Sequence, residues 1–131
     1  MATLKISDIS VGDWVGVRCG TKINAFKVEE IRFNNIIHKY VALLNNKAYG
    51  LPTTELHPIP ITAEILEKNG FECIEEDVDT ALYGTPSCSI FHTKGTLRYR
   101  LDTPQASVVC WNIHDLQHAL RLAGIDKEIN L

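Results

Sequence analysis

Pro58-Ile59-Pro60-Ile61-Thr62-Ala63-Glu64-Ile65-Leu66-Glu67-Lys68-Asn69-Gly70-Phe71 is the stretch on which the reading of this 131-residue chain turns. Two prolines remove backbone donors and hold the chain extended, which marks a junction. Thr62 is placed to cap a helix, with Ile61 before it and Leu66 inside it as a hydrophobic staple. The spacing predicts a helix over Ala63–Asn69 that stops at Gly70, a residue free to take the left-handed C′ conformation. So short a helix must dock Ile65 and Leu66 on something to persist.

Upstream of the prolines the rhythm is that of short strands. A turn-rich entry, Asp8–Asp13, leads into Trp14-Val15-Gly16-Val17, and Cys19-Gly20-Thr21 breaks it. Ile23 to Ile31 is extended, Asn34-Asn35 turns, and Ile36–Leu44 is β-branched and apolar. Asn45-Asn46-Lys47 turns again before a short strand, Ala48–Leu51, and Pro52. Turn signals about every ten residues predict a small β-barrel-like subdomain over residues 1–58.

Downstream, residues 59–131 read as an α+β subdomain, so that the fold class is α+β: a barrel-like first half, then an antiparallel sheet with two short helices. Phe71–Ile74 reads as a strand that runs into the acidic stretch Glu75–Asp79. Cys88–Thr93 and Thr96–Leu101 form a hairpin across Lys94-Gly95, a pair suited to a two-residue turn. That register sets Cys88 against Leu101, Ile90 against Tyr99 and His92 against Leu97 on one face. Ser89, Phe91, Arg98 and Arg100 fall on the other. Ser107–Trp111 is a further strand. Asn112 caps a final helix with Asp115 at its N3 position, Leu116, Ala119, Leu120 and Ala123 form its stripe, and Gly124 ends it.

Composition narrows the function classes. The chain is 45% hydrophobic and 22% charged with a formal net charge of −3, ordinary values for a globular protein. An acidic balance argues against a broad phosphate-binding surface. The first ten residues hold no apolar run of the kind a secretion signal requires, and no run approaches bilayer length, so a cytoplasmic chain without membrane contact is expected. Cys19, Cys73, Cys88 and Cys110 are widely spaced with no close pair, which predicts reduced thiols rather than disulfides or a zinc knuckle.

Three stretches together resemble a known group: Val11-Gly12-Asp13-Trp14-Val15, the run from Pro58 to Phe71, and His114-Asp115-Leu116-Gln117-His118-Ala119-Leu120. In this order they are similar to small uncharacterised proteins of gut Bacteroidetes, often carried on prophages or other mobile elements. The resemblance spans most of the chain and is least clear near Ile36–Leu56 and Glu72–Ser87. It implies a phage-related accessory protein and transfers no activity. Gly12-Asp13-Trp14-Val15 also resembles the first strand of SH3-like barrels, a fold that hosts many functions.

The chemical motifs are few. His114 and His118 stand at i and i+4, the spacing of H-E-x-x-H with Asp115 in place of the acid, which would make a zinc-dependent hydrolase. Aspartate is one methylene shorter than glutamate, and only Asp126 and Glu128 follow as acidic third ligands. The plainer reading has Asp115 favouring the helix N-terminus and both histidines partly exposed beside the apolar stripe. Arg98 and Arg100 beside Phe91 would suit single-stranded nucleic acid, but the plainer reading has them paired with the acids of Glu72–Asp79, or Arg98 covering Phe91. Trp14, Tyr40 and Tyr49 would line a peptide groove if the first half closes into a barrel, but aromatics at strand spacing are more often core. The acidic run Glu75–Asp79 lacks the glycine and closing glutamate of a calcium loop. Cys110, four residues before His114, packs rather than attacks. We therefore assign no catalytic, cofactor or metal site, and expect a non-enzymatic module with a protein partner.

Overall fold

The computed structural model describes residues 4, 9–37, 39–45, 50–52 and 55–131. The chain divides into two compact units, Met1–Ile59 and Pro60–Leu131. The architecture is α+β, with one antiparallel five-stranded sheet in each unit and both helices in the second.

The first unit contains β1 (Trp14–Cys19), β2 (Lys22–Asn34), β3 (Lys39–Leu44), β4 (Gly50–Pro52) and β5 (Leu56–His57), in the order β4-β3-β2-β1-β5. The 13-residue β2 carries the architecture because it changes partners midway. Its first part, Lys22 to Lys27, pairs with β1, and its second, from Val28 to Asn34, pairs with β3. A register shift between Val28 and Glu30 separates the two parts, and such a bulge bends a strand and increases its twist. The turn-rich entry is pinned at this bend. Gly12, at φ 93°, donates to the Val28 carbonyl at 2.7 Å, and Val28 donates back to Asp13 at 2.8 Å. The buried Asp13 side chain accepts from the Ser10 N–H at 2.7 Å, so a polar group inside the fold has its hydrogen bond. Asn45 closes the other side, its side chain accepting from the Lys27 N–H at 2.6 Å. Val15, Val17, Val28, Ala42, Leu44 and Leu56 fill the concave side, each fully buried Val or Leu being worth about 1.5–3 kcal/mol of transfer free energy.

The expected strand over Ile36–Leu44 starts later than the sequence suggests. Ile36 and Ile37 lie in the turn before β3, because Asn34 accepts from the N–H groups of both through Oδ1, at 2.9 and 3.2 Å. That side-chain turn consumes the two residues.

The second unit contains α1 (Ala63–Lys68), a meander of β6 (Glu72–Glu76), β7 (Thr80–Gly84), β8 (Ser89–Thr93), β9 (Tyr99–Asp102) and β10 (Ser107–Cys110), and α2 (Ile113–Leu122). Thr62 caps α1 through its hydroxyl, which accepts from Ile65 at 3.2 Å, and Ile61 and Leu66 are both buried. Asn112 caps α2 in the same way, accepting from Asp115 at 2.9 Å. Both helices end alike. Gly70 and Gly124 take φ of 85° and 75°, with Phe71 donating to Leu66 and Ile125 to Leu120, each at 2.9 Å. These are Schellman closures, which satisfy the last carbonyls. One face of the sheet carries Tyr83, Ile90, Tyr99, Leu101 and Cys110 into a core completed by Leu66, Leu116 and Leu120. Burial pushes the Tyr83 and Tyr99 hydroxyls above the usual tyrosine range.

The hairpin register differs from the expected one by two residues. Ile90 faces Leu101 and His92 faces Tyr99, while Leu97 is left exposed in the loop. Thr96 sets this longer loop: its hydroxyl donates to the Thr93 carbonyl at 2.7 Å and accepts from Arg98 at 3.2 Å. The gain is a stack of His92 on Tyr99, ring centroids 3.8 Å apart. A slip of two residues preserves the side-chain faces, which is why the expected apolar face survives.

Candidate functional site

The β2–β3 hairpin tip is the most unusual surface among the described residues. Phe33 and Tyr40 are direct cross-strand partners whose rings meet edge to face, with centroids 5.2 Å apart and planes at 78°. Counting by twos along the strands, Phe33 continues the row of Ile31 and Tyr40 the row of Ala42 and Leu44, so both belong to the core-facing side. The hairpin extends that row beyond the core. Phe33 and Tyr40 are 45% and 47% exposed, and Ile36 and Ile37, held in the turn by Asn34, are 89% and 45% exposed. Arg32 and Lys39, both exposed, alternate with Phe33 and Tyr40 along the strands and so lie on the opposite face of the hairpin. Exposed apolar side chains gathered at one tip mark a place where another molecule can be buried. Tyr40 thus finds an aromatic partner in Phe33. Trp14 instead packs near Lys27, whose Nζ lies 5.6 Å from the indole centroid, and Tyr49 falls outside the described residues.

His114 and His118 do lie on one side of α2, their ring centroids 5.9 Å apart. His114 is only 3% exposed, a correction to the expectation of a half-exposed ring, because α2 buries a wider face than its leucine stripe. Asp115 serves the helix start: one oxygen accepts from the Trp111 N–H at 3.1 Å and the other lies 3.7 Å from His114 Nε2. No group of three or more His, Cys, Asp or Glu side chains suited to a metal occurs among the described residues, so none of these residues sets a third ligand beside the pair. Cys110 is buried, and burial pushes its thiol up to about 12, far from a nucleophile's range. All four cysteines are free, Cys19 and Cys73 on the surface and Cys88 and Cys110 inside.

Arg100 sits over Phe91, 5.1 Å from the ring centroid, and grips Asp102 with a fork of 2.9–3.1 Å contacts. Arg100, rather than Arg98, covers the ring, and its carboxylate partner comes from its own strand and not from Glu72–Asp79. The guanidinium hydrogen bond holds the Asp102 carboxyl below the usual carboxylate range. Of the acidic stretch, Glu76 pairs with Lys94 at 2.9 Å. Arg98 is exposed, and the face offers one engaged cation beside one aromatic ring.

Two polar residues the sequence reading passed over, Asn69 and Gln117, are buried and hold the C-terminal segment. The available signal was position: Asn69 stands at the C-cap of α1, and Gln117 stands one residue after Leu116 in the apolar stripe. Comparisons with known protein families, with curated proteins and with solved structures find no match to this chain.

Proposed function

We propose that this chain is a non-enzymatic protein-interaction module whose first unit is an SH3-like barrel presenting the β2–β3 hairpin tip to a protein partner. The observation that carries this reading is the exposed cluster of Phe33, Ile36, Ile37 and Tyr40 on one hairpin. The barrel reading is supported by the strand order β4-β3-β2-β1-β5 and by the shared, bulged β2. Burying four large apolar side chains supplies the hydrophobic centre an interface needs. The likeness to proteins of mobile elements supports an accessory role in a phage or a related element.

The test is recovery of a partner from a lysate of gut Bacteroidetes cells with the wild-type chain and with a Phe33→Ser/Ile36→Ser/Ile37→Ser variant. The wild type should retain a stoichiometric protein that the variant loses, with unchanged circular dichroism and melting. Equal retention by a folded variant would remove the hairpin from the interface. The zinc and nucleic-acid alternatives gain no comparable observation, since Asp115 is engaged at the helix start and Arg100 with Asp102.

A further inference from the structure

After Gly124 the chain has no helix or strand, yet it is not loosely placed. From Asp126 to Leu131 burial alternates: exposed, half-buried, exposed, buried, exposed, half-buried. That period of two is the signature of an extended peptide lying in a groove. Its backbone is read by side-chain amides. Gln117 donates to the Lys127 carbonyl at 2.9 Å and accepts from the Ile129 N–H at 2.7 Å. Asn69 donates to the Asn130 carbonyl and accepts from the Asn130 N–H, both at 2.8 Å. It is locked by a further bond to the Ile65 carbonyl at 2.8 Å. Each amide therefore imitates one peptide group of a neighbouring strand, the means by which peptide-binding grooves hold main chain without regard to side chain.

Side-chain selectivity is added at three positions. Ile129 is fully buried. Lys127 Nζ lies 5.4 Å from the Phe71 ring centroid, and Glu128 meets Arg121 at 3.5 Å. Phe71 and Gly70 belong to the closure of α1, and Gln117 and Arg121 to α2, so every reader is supplied by a rigid element.

We propose that this groove in the second unit is a docking site for an extended peptide bearing a large aliphatic residue two positions after a lysine, and that residues 127–130 are its built-in occupant. The inference is independent of the hairpin tip. A tethered occupant acts at an effective concentration of about millimolar, so a free peptide competes poorly until the tether's own binding is weakened.

A fluorescein-labelled peptide of residues 125–131 is titrated into the wild-type chain, Ile129→Asp, and Ile129→Asp/Gln117→Ala. Ile129→Asp should release the occupant and bind the peptide at least tenfold more tightly than the wild type does, and adding Gln117→Ala should abolish that gain. A folded Ile129→Asp chain with no gain overturns the proposal. Native-state hydrogen exchange of the wild type decides the case in which Ile129→Asp unfolds. The Ile129 and Asn130 amides should open at lower cost than those of Leu116 and Leu120. Exchange of all four only by global unfolding makes the segment inseparable core and overturns the proposal.

Discussion

Among the described residues of the first unit, four of the six exposed large apolar side chains, Phe33, Ile36, Ile37 and Tyr40, lie within eight residues on one hairpin, with Val11 and Ile23 apart from them, whereas in the second Ile74, Val78, Leu97, Val108, Trp111 and Leu122 are scattered over as many elements and loops. Charge divides along the same boundary. Residues 1–59 carry seven Lys and Arg against five Asp and Glu, and residues 60–131 carry six against eleven. The edge strand β6 of the second unit is exposed throughout and holds Glu72, Glu75 and Glu76, a charged edge of the kind that blocks pairing with another chain. The second unit thus disperses its exposed apolar side chains and charges one of its two sheet edges, while the first gathers four of its own at a hairpin tip. Scattered apolar residues need no partner; a clustered set does.

Three measurements would break or sharpen this contrast. The chain has two tryptophans, one in each unit, so single-tryptophan backgrounds report the units separately. Leu120→Ala empties a fully buried site and should cost about 2–5 kcal/mol in the urea transition seen by Trp111, leaving that of Trp14 in place. His118→Ala, at a half-buried position, should cost much less. If both tryptophans shift together with Leu120→Ala, the units unfold as one and their separate energetics fail.

Asp13→Ala is the reciprocal probe. It leaves the Ser10 N–H without its carboxylate and should cost about 1–3 kcal/mol, read by Trp14 alone. A neutral result would mean that the entry turn does not pin the bent β2.

The smallest effect is electrostatic. Because Arg100 depresses the Asp102 carboxyl in the folded state, the pair stabilises fully above the ordinary carboxylate value of 3.8 and loses its effect as pH falls through the lower folded value. Asp102→Asn should therefore lower the urea midpoint slightly at pH 7, and the gap from wild type should begin to shrink below about pH 4 and close as the pH falls through the lower folded value, where the wild-type carboxyl takes up its proton. The effect stays small because both side chains are partly solvated. A gap that persists undiminished at pH 2 would assign it to packing over Phe91 rather than to charge.

Reading this chain residue by residue succeeds where a few neighbouring residues settle the outcome. Thr62 and Asn112 cap helices because a hydroxyl or amide reaches an N–H three residues on, and Gly70 and Gly124 end them because their backbone costs nothing at positive φ. Strand faces also follow from alternation alone, which is why Ile90, Tyr99 and Leu101 were expected inside and are found there. Register needed more than alternation: Thr96 closes a longer loop through local bonds, and the stack of His92 on Tyr99 that accompanies it exists only once two strands have met. Burial of Asn69, His114 and Gln117 likewise follows from what packs on them: a place at a helix end or beside an apolar stripe marks the position, and only the packed fold decides that the side chain there is buried. The exposed tip has the same origin: Phe33 and Tyr40 carry the pattern of core residues, and only the extent of the folded core shows that it ends before it reaches them. Local bonds act within a turn of chain and are legible in order; pairing, burial and exposure depend on distant segments whose meeting the order of residues does not state.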